Sequence, residues 1–299
     1  MAYDPNGNVT TRTLRDGSTI AFTYDNLNRT TSRTPQGEST VSYGYNLLGQ
    51  TTQSADAQTL TYSYDGLGRL TSESQPFGSA VYQRDAAGRM TRLTWSDGLF
   101  VNYDYDNLSN VTAIRENGAT SGVGVLANYG YDSLARRASI TRGNGTIANY
   151  GYDPVGRLSC LTDNFAGGSV PACTPAATGS DRAATFGWNP ASQITSTTQA
   201  NDAYAWTSAV NVDRPYTSNG LNQYSTAGAT SFGYDLRGNL TSLGAAAYGY
   251  SKLNRLITAP GITLDYDPAG RLTKYNVSGA TLRFTSAPLN GVRIVVRYL

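Results

Sequence analysis

The chain has 299 residues, 39% of them hydrophobic, which is enough to bury a core and permits one or two domains. Charged residues are only 15% and leave a net charge of +2, so the clustered basic face of a nucleic-acid binder is missing, as are acidic or basic tails. Histidine is absent and no serine sits in a nucleophile-elbow context, so triad catalysis is not expected.

From the N-terminus, Met1-Ala2-Tyr3-Asp4-Pro5 has neither the basic nor the apolar region of a signal peptide. No apolar run approaches the roughly 18 residues that span a bilayer, so no membrane span is expected. The chain begins inside a repeat, which favours a piece of a longer polypeptide over a cytoplasmic protein or one exported without a cleaved signal.

That repeat is a two-residue anchor followed by a turn. It occurs at Tyr3-Asp4, Tyr24-Asp25, Tyr45-Asn46, Tyr64-Asp65, Arg84-Asp85, Tyr105-Asp106, Tyr131-Asp132 and Tyr152-Asp153. Looser copies follow at Trp188-Asn189, Ser218-Asn219, Tyr234-Asp235, Tyr250-Ser251 and Tyr266-Asp267. A spacing of about 19–21 residues through most of the first half, and about 16 between the last four anchors, signals an array of one supersecondary unit.

Tyr64 to Thr71 shows how the turn works. Asp65 suits the first corner of a type I turn, where its carboxylate accepts backbone N–H bonds, and Gly68 suits the left-handed position of a bulged hairpin loop. Gly156, Gly238 and Gly270 stand at the same position after Asp153, Asp235 and Asp267. Asn28, Asn222 and Asn254 replace the glycine with the next best residue. Ser109, Ala135 and Ser192 fit less well, so their turns are expected to be strained or differently shaped.

Between anchors the sequence alternates with the period of a strand, as in Val41-Ser42-Tyr43-Gly44-Tyr45 and Leu60-Thr61-Tyr62-Ser63-Tyr64. Hairpin signals of a second kind lie midway: Asp16-Gly17, Asp97-Gly98, Asn117-Gly118 and Asn144-Gly145. Each unit therefore reads as two strands and two turns, and the chain as an all-β antiparallel hairpin ribbon over residues 1–273. An irregular insert is expected at about 160–184, a spacer at about 201–215, and a non-repeat tail at 274–299. Cys160 and Cys173 bracket the insert's loop. A disulfide worth about 3 kcal/mol and two free thiols are both open readings.

The unit Tyr-Asp-x-x-Gly-Arg-Leu-Thr, nearly intact at Tyr64 to Thr71, Tyr152 to Leu158 and Tyr266 to Thr273, resembles the YD repeats of bacterial Rhs proteins. Teneurins and the C components of insecticidal toxin complexes are relatives of these. The resemblance covers roughly residues 3 to 273, with Asn219 to Tyr224 resembling a recurrent bacterial variant. It implies a ribbon that curves or spirals as part of a hollow β-shell, which in bacterial polymorphic toxins encloses a C-terminal effector. The self-cleaving core signature of that family, Asp-Pro-x-Gly-Leu after the last repeat, does not occur, so cleavage and a toxic domain are not carried over.

The resulting expectation is a structural, non-catalytic shell segment, secreted or at the cell surface, with a toxin or effector polypeptide as partner. The alternative is a surface-exposed carbohydrate-binding or adhesion module. No cofactor, metal site or nucleic-acid partner is expected. One carboxylate per repeat is too sparse for Ca²⁺, and turn formation explains the Asp positions. Arg29, Arg69, Arg89, Arg136, Arg157, Arg255 and Arg271 follow the turn at equivalent places and are expected to form a row facing the turn carboxylates. A shell would need more repeats than these, which leaves both sheet edges open.

Overall fold

The computed structural model describes residues 1–75, 78–165, 173, 179–201, 203, 208, 211, 213–277 and 280–283. Residues 166–172 and 174–178 of the expected insert, part of the spacer, and 284–299 of the tail lie outside the described residues. The described residues form twenty-eight strands and one short 3-10 turn, Gly122–Gly124. The chain divides into two compact units: Met1–Val81 with Asn211–Leu299, and Tyr82–Val210.

In the first unit the strands from Ala2–Tyr3 to Leu70–Gln75 pair antiparallel, each with its sequence neighbours. Its C-terminal part adds two five-stranded meanders, one from Tyr216–Ser218 to Ala246–Ala247 and one from Gly249–Tyr250 to Ala280–Arg283. The second unit begins inside the strand Gly78–Arg84. It continues as a meander from Met90–Trp95 to Ile194–Gln199. There Leu158–Asn164 pairs with Arg182–Trp188 across the insert. Cys160 and Cys173 are joined by a disulfide, with Cα atoms 5.3 Å apart.

The core of each unit is thin. Ile20, Val41, Leu60, Val101, Ala127 and Ala148 are buried, and each stands four residues before an anchor tyrosine. Within each strand, alternation puts the buried residue on the same face as the two aromatics that follow it, as in Leu60, Tyr62 and Tyr64. In the second unit Ala127, Ile140 and Ala148 pack together, with Tyr129 and Tyr150 against them.

Every anchor closes in the same way. At Asp65 the backbone N–H donates to the Arg69 carbonyl at 2.9 Å, and the Gly68 N–H reaches back to the Asp65 carbonyl at 2.9 Å. The Asp65 carboxylate accepts the N–H groups of Leu67 at 3.0 Å and Arg69 at 2.9 Å. Gly68 has φ of +78°, and the strand register shifts between Ser63 and Tyr64, the mark of a type I turn with a left-handed bulge.

The turns expected to be strained or differently shaped keep this shape. Ser109, Ala135 and Ser192 take φ of 69°, 59° and 60° and donate back to Asp106, Asp132 and Asn189 at 3.1, 3.0 and 3.0 Å. The ladders on either side hold the backbone, and the side chain bears the left-handed penalty of about 1–2 kcal/mol.

Two substitutions read that penalty in opposite directions. Gly68→Ala destabilises by about 1–2 kcal/mol, whereas Ala135→Gly stabilises by about 0.5–1 kcal/mol after the added entropy of the unfolded glycine. Urea midpoints of the two variants should move to opposite sides of the parent.

Candidate functional site

The anchor residues do more than turn the chain. In Asp25, Asp65, Asp85, Asp132, Asp153 and Asp267 the second carboxylate oxygen takes an arginine four residues on, each at 2.7 Å. Several of these arginines reach the next repeat. Arg29 Nη1 donates to the Asn46 carbonyl at 3.1 Å, and Arg157 Nη1 to that of Asn189 at 2.9 Å. The guanidinium carbons of Arg29, Arg89 and Arg136 lie 4.7, 4.8 and 4.3 Å from the ring centres of Tyr45, Tyr105 and Tyr152.

The anchor rings point back the other way. Tyr24, Tyr45, Tyr64, Tyr105, Tyr131, Tyr152 and Tyr266 donate their hydroxyls to backbone carbonyls of a preceding strand at 2.7 to 2.9 Å. Trp188 does the same through Nε1, to Leu158 at 2.8 Å. Neither the stacking nor these hydroxyl bonds was foreseen. The constant separation of arginine and following tyrosine in the regular repeats was the available signal.

Where the arginine is missing, amides take over. Asp106 holds Asn110 at 2.9 Å and Asp235 holds Asn239 at 2.8 Å through the same oxygen. Arg255 follows Ser251 and so has no carboxylate in its own turn. Gly156, Gly238 and Gly270 all have positive φ, near 90°. The turn residues singled out in the sequence are spread one set per repeat and do not converge on one centre. Among the described residues no three His, Cys, Asp or Glu side chains gather as a metal-ligand set, and no helix is long and apolar enough to cross a membrane.

What does converge is the aromatic face of the first unit. A cavity of about 570 Å³ lies between Phe22, Tyr43, Tyr45, Tyr62 and Tyr64, with Arg33 in its wall and Pro268-Ala269 at its edge. Register sets Arg33 opposite Phe22, in the same row of the face. Its Nε and Nη2 are buried without a hydrogen-bond partner. These two nitrogens form the side-on edge of the guanidinium, the edge with which Arg182 grips Asp163 at 3.1 and 2.6 Å.

A charge network stands beside the cavity. Arg271 pairs with Asp267, whose side chain is fully buried, and also with Glu73. Burial opposes the charge on Arg271, but the hydrogen bond to Asp267 and the charge of Glu73 outweigh it and hold the guanidinium above its ordinary pKa. Burial, followed by the charge of Arg33, lowers Arg255.

Two tests follow from these charges. Arg271→Met strands two buried carboxylates and should cost about 3 kcal/mol, the low end for a broken buried pair because a quarter of the side chain is exposed. The turn carboxylates also set the acid limit. Asp25 and Asp65 are held below the ordinary 3.8, first by the backbone N–H of the residue four on, then by its guanidinium against the cost of burial. Asp16 is lowered to about 2, first by the Ser18 hydroxyl and then by Lys252. A depressed carboxylate contributes stability above its unfolded pKa and loses it as pH falls through the folded one. The melting temperature should therefore be flat down to about pH 4 and fall between about pH 4 and 2.

Comparison with known proteins places these features in context. The RHS Repeat family matches residues 3–39, 45–80 and 64–99. No curated protein matches the chain. The fold is similar to that of a crystallised TcdB2-TccC3-TEV protein, with a TM-score of 0.55 and 14% identity over 98% of this chain. It is also similar to the Photorhabdus luminescens Tc holotoxin pore, with a TM-score of 0.55 and 16% identity over 94% of this chain. A third likeness is to TcdB2-TccC3 without its hypervariable C-terminal region, with a TM-score of 0.54 and 15% identity over 94% of this chain. The chain spans 18% of the length of each of these structures.

Proposed function

We propose that this chain, which matches the RHS Repeat family over residues 3–39, 45–80 and 64–99, is a non-catalytic β-shell segment whose aromatic face holds a toxin or effector polypeptide. The observation that carries the reading is the row of aromatic side chains, recurring in nearly every repeat, on one face of an antiparallel ribbon. Its fold likeness to TcdB2-TccC3 proteins supports it. The mechanism is physical: stacked hairpins form a wall, and the wall withholds a guest from solvent, proteases and other chains. On this reading the chain acts outside the cell that makes it, as part of an exported assembly.

The cavity at Arg33 gives the carbohydrate-binding alternative its one specific support, because tyrosine rings with an arginine suit an acidic sugar. A glycan array separates the two readings.

The test is co-expression with the polypeptide encoded beside it, followed by limited proteolysis. The guest should copurify and survive protease that digests it when it is expressed alone. Equal digestion rates with and without this chain would overturn the shell reading.

A further inference from the structure

A second cleft, in the first unit, is built from different chemistry. It has a volume of about 300 Å³ and lies between Arg12, Arg15, Arg237 and Asn254, where the turn Leu14 to Ser18 meets two turns of the C-terminal meanders. The Arg237 side chain is only 9% exposed. Its Nη1 donates to the Ser251 carbonyl at 2.8 Å, and its Nη2 lies 3.3 Å from Asp235 Oδ2. Nε stands 3.4 Å from Asp16 Oδ2, yet it makes no hydrogen bond with it. Arg12 and Arg15 are exposed.

The charges do not balance. Arg12, Arg15, Arg237 and Lys252 stand with three carboxylates, Asp16, Asp235 and Glu38, the last accepting the Lys252 backbone N–H. Asp16 and Asp235 are committed to other partners as well. Asp16 accepts Ser18 and pairs with Lys252 at 3.2 Å, while Asp235 accepts two backbone N–H groups and the Asn239 amide. A net positive charge remains around the cleft, and the exposed guanidinium forks of Arg12 and Arg15 have donors to spare.

We infer that this cleft is a binding site for a phosphate monoester, held between the guanidinium groups of Arg12, Arg15 and Arg237. A monoester carries about −1.5 to −2 charges at neutral pH and three acceptor oxygens, one for each of the three arginines. A carboxylate supplies one charge and two oxygens and leaves one arginine unanswered. The volume admits the phosphate and a small ester group but no folded partner. The site is independent of the shell reading and of the aromatic cavity, so each stands or falls alone.

Isothermal titration of the full chain with phenyl phosphate, inorganic phosphate and acetate at low ionic strength tests it. One phenyl phosphate should bind per chain, more tightly than inorganic phosphate and at least about tenfold more tightly than acetate. The double variant Arg12→Gln/Arg15→Gln, both exposed and outside the turn locks, should melt as the parent does and weaken binding by about tenfold or more, the loss expected for a charge-assisted hydrogen bond. Arg15→Lys should restore part of it, and Arg142→Gln, in the second unit, should change nothing. Inorganic phosphate binding more tightly than the ester would overturn the ester assignment. Absent binding, or several equivalents that survive the double substitution, would overturn the site itself.

Discussion

One carboxylate per repeat ties the local turn to the neighbouring repeat. Oδ1 of Asp65 organises its own loop by accepting two backbone N–H groups, and Oδ2 fixes Arg69. Where the arginine reaches forward, as Arg29 does to the Asn46 carbonyl and over the Tyr45 ring, the same group that closes one hairpin sets the next in register. That second task matters because Thr-rich strands such as Thr51–Ala55 specify register poorly through their side chains alone. A ribbon of such strands would slip without a lock at each reversal.

Charge is not essential to the lock. Asn46 and Gln50 stand where other repeats have Asp and Arg, and their amides bond each other at 2.9 Å while Gln50 Nε2 reaches the Gly68 carbonyl at 2.7 Å. Asn189 with Gln193 and Asn219 with Gln223 form the same paired amides at 2.8 Å. What every version keeps is an acceptor for the loop N–H groups and a planar side chain four residues on. This explains how a chain with so few charges can repeat the motif so often. It also explains why a thin core suffices: Ala127 and Ala148 bury little surface, so directional bonds between repeats carry more of the stability than they would in a globular domain.

The period, the strand alternation and the left-handed turn positions were legible because each depends on residues within one repeat. Ala135 was legible as a misfit, but its outcome was not, since the flanking ladders decide whether the turn changes or the residue yields. The contacts that build the first unit were out of reach for a different reason. Lys252 and Arg237 meet Asp16, and Arg271 meets Glu73, across more than half the chain, and repeat spacing says nothing about which distant copies touch. The two cysteines could be placed at the ends of a loop, but only the pairing of Leu158–Asn164 with Arg182–Trp188 draws that loop closed.

The two aromatic rows of the face differ in what they allow at each position, and the difference separates structure from contact. The anchor row holds tyrosine at most positions and tryptophan at Trp188; each of these side chains carries a donor, and the donor is bonded to a backbone carbonyl wherever a repeat is regular. The inner row holds Tyr43, Tyr62, Tyr103, Tyr129 and Tyr150 but also Phe22, Phe186 and Phe232. Loss of the hydroxyl there is tolerated within one chain, so the inner row serves through its rings. Anchor rings are consumed in joining strands. The cavity that admits Arg33 is lined by rings of both rows, Phe22, Tyr43 and Tyr62 from the inner one and Tyr45 and Tyr64 from the anchors.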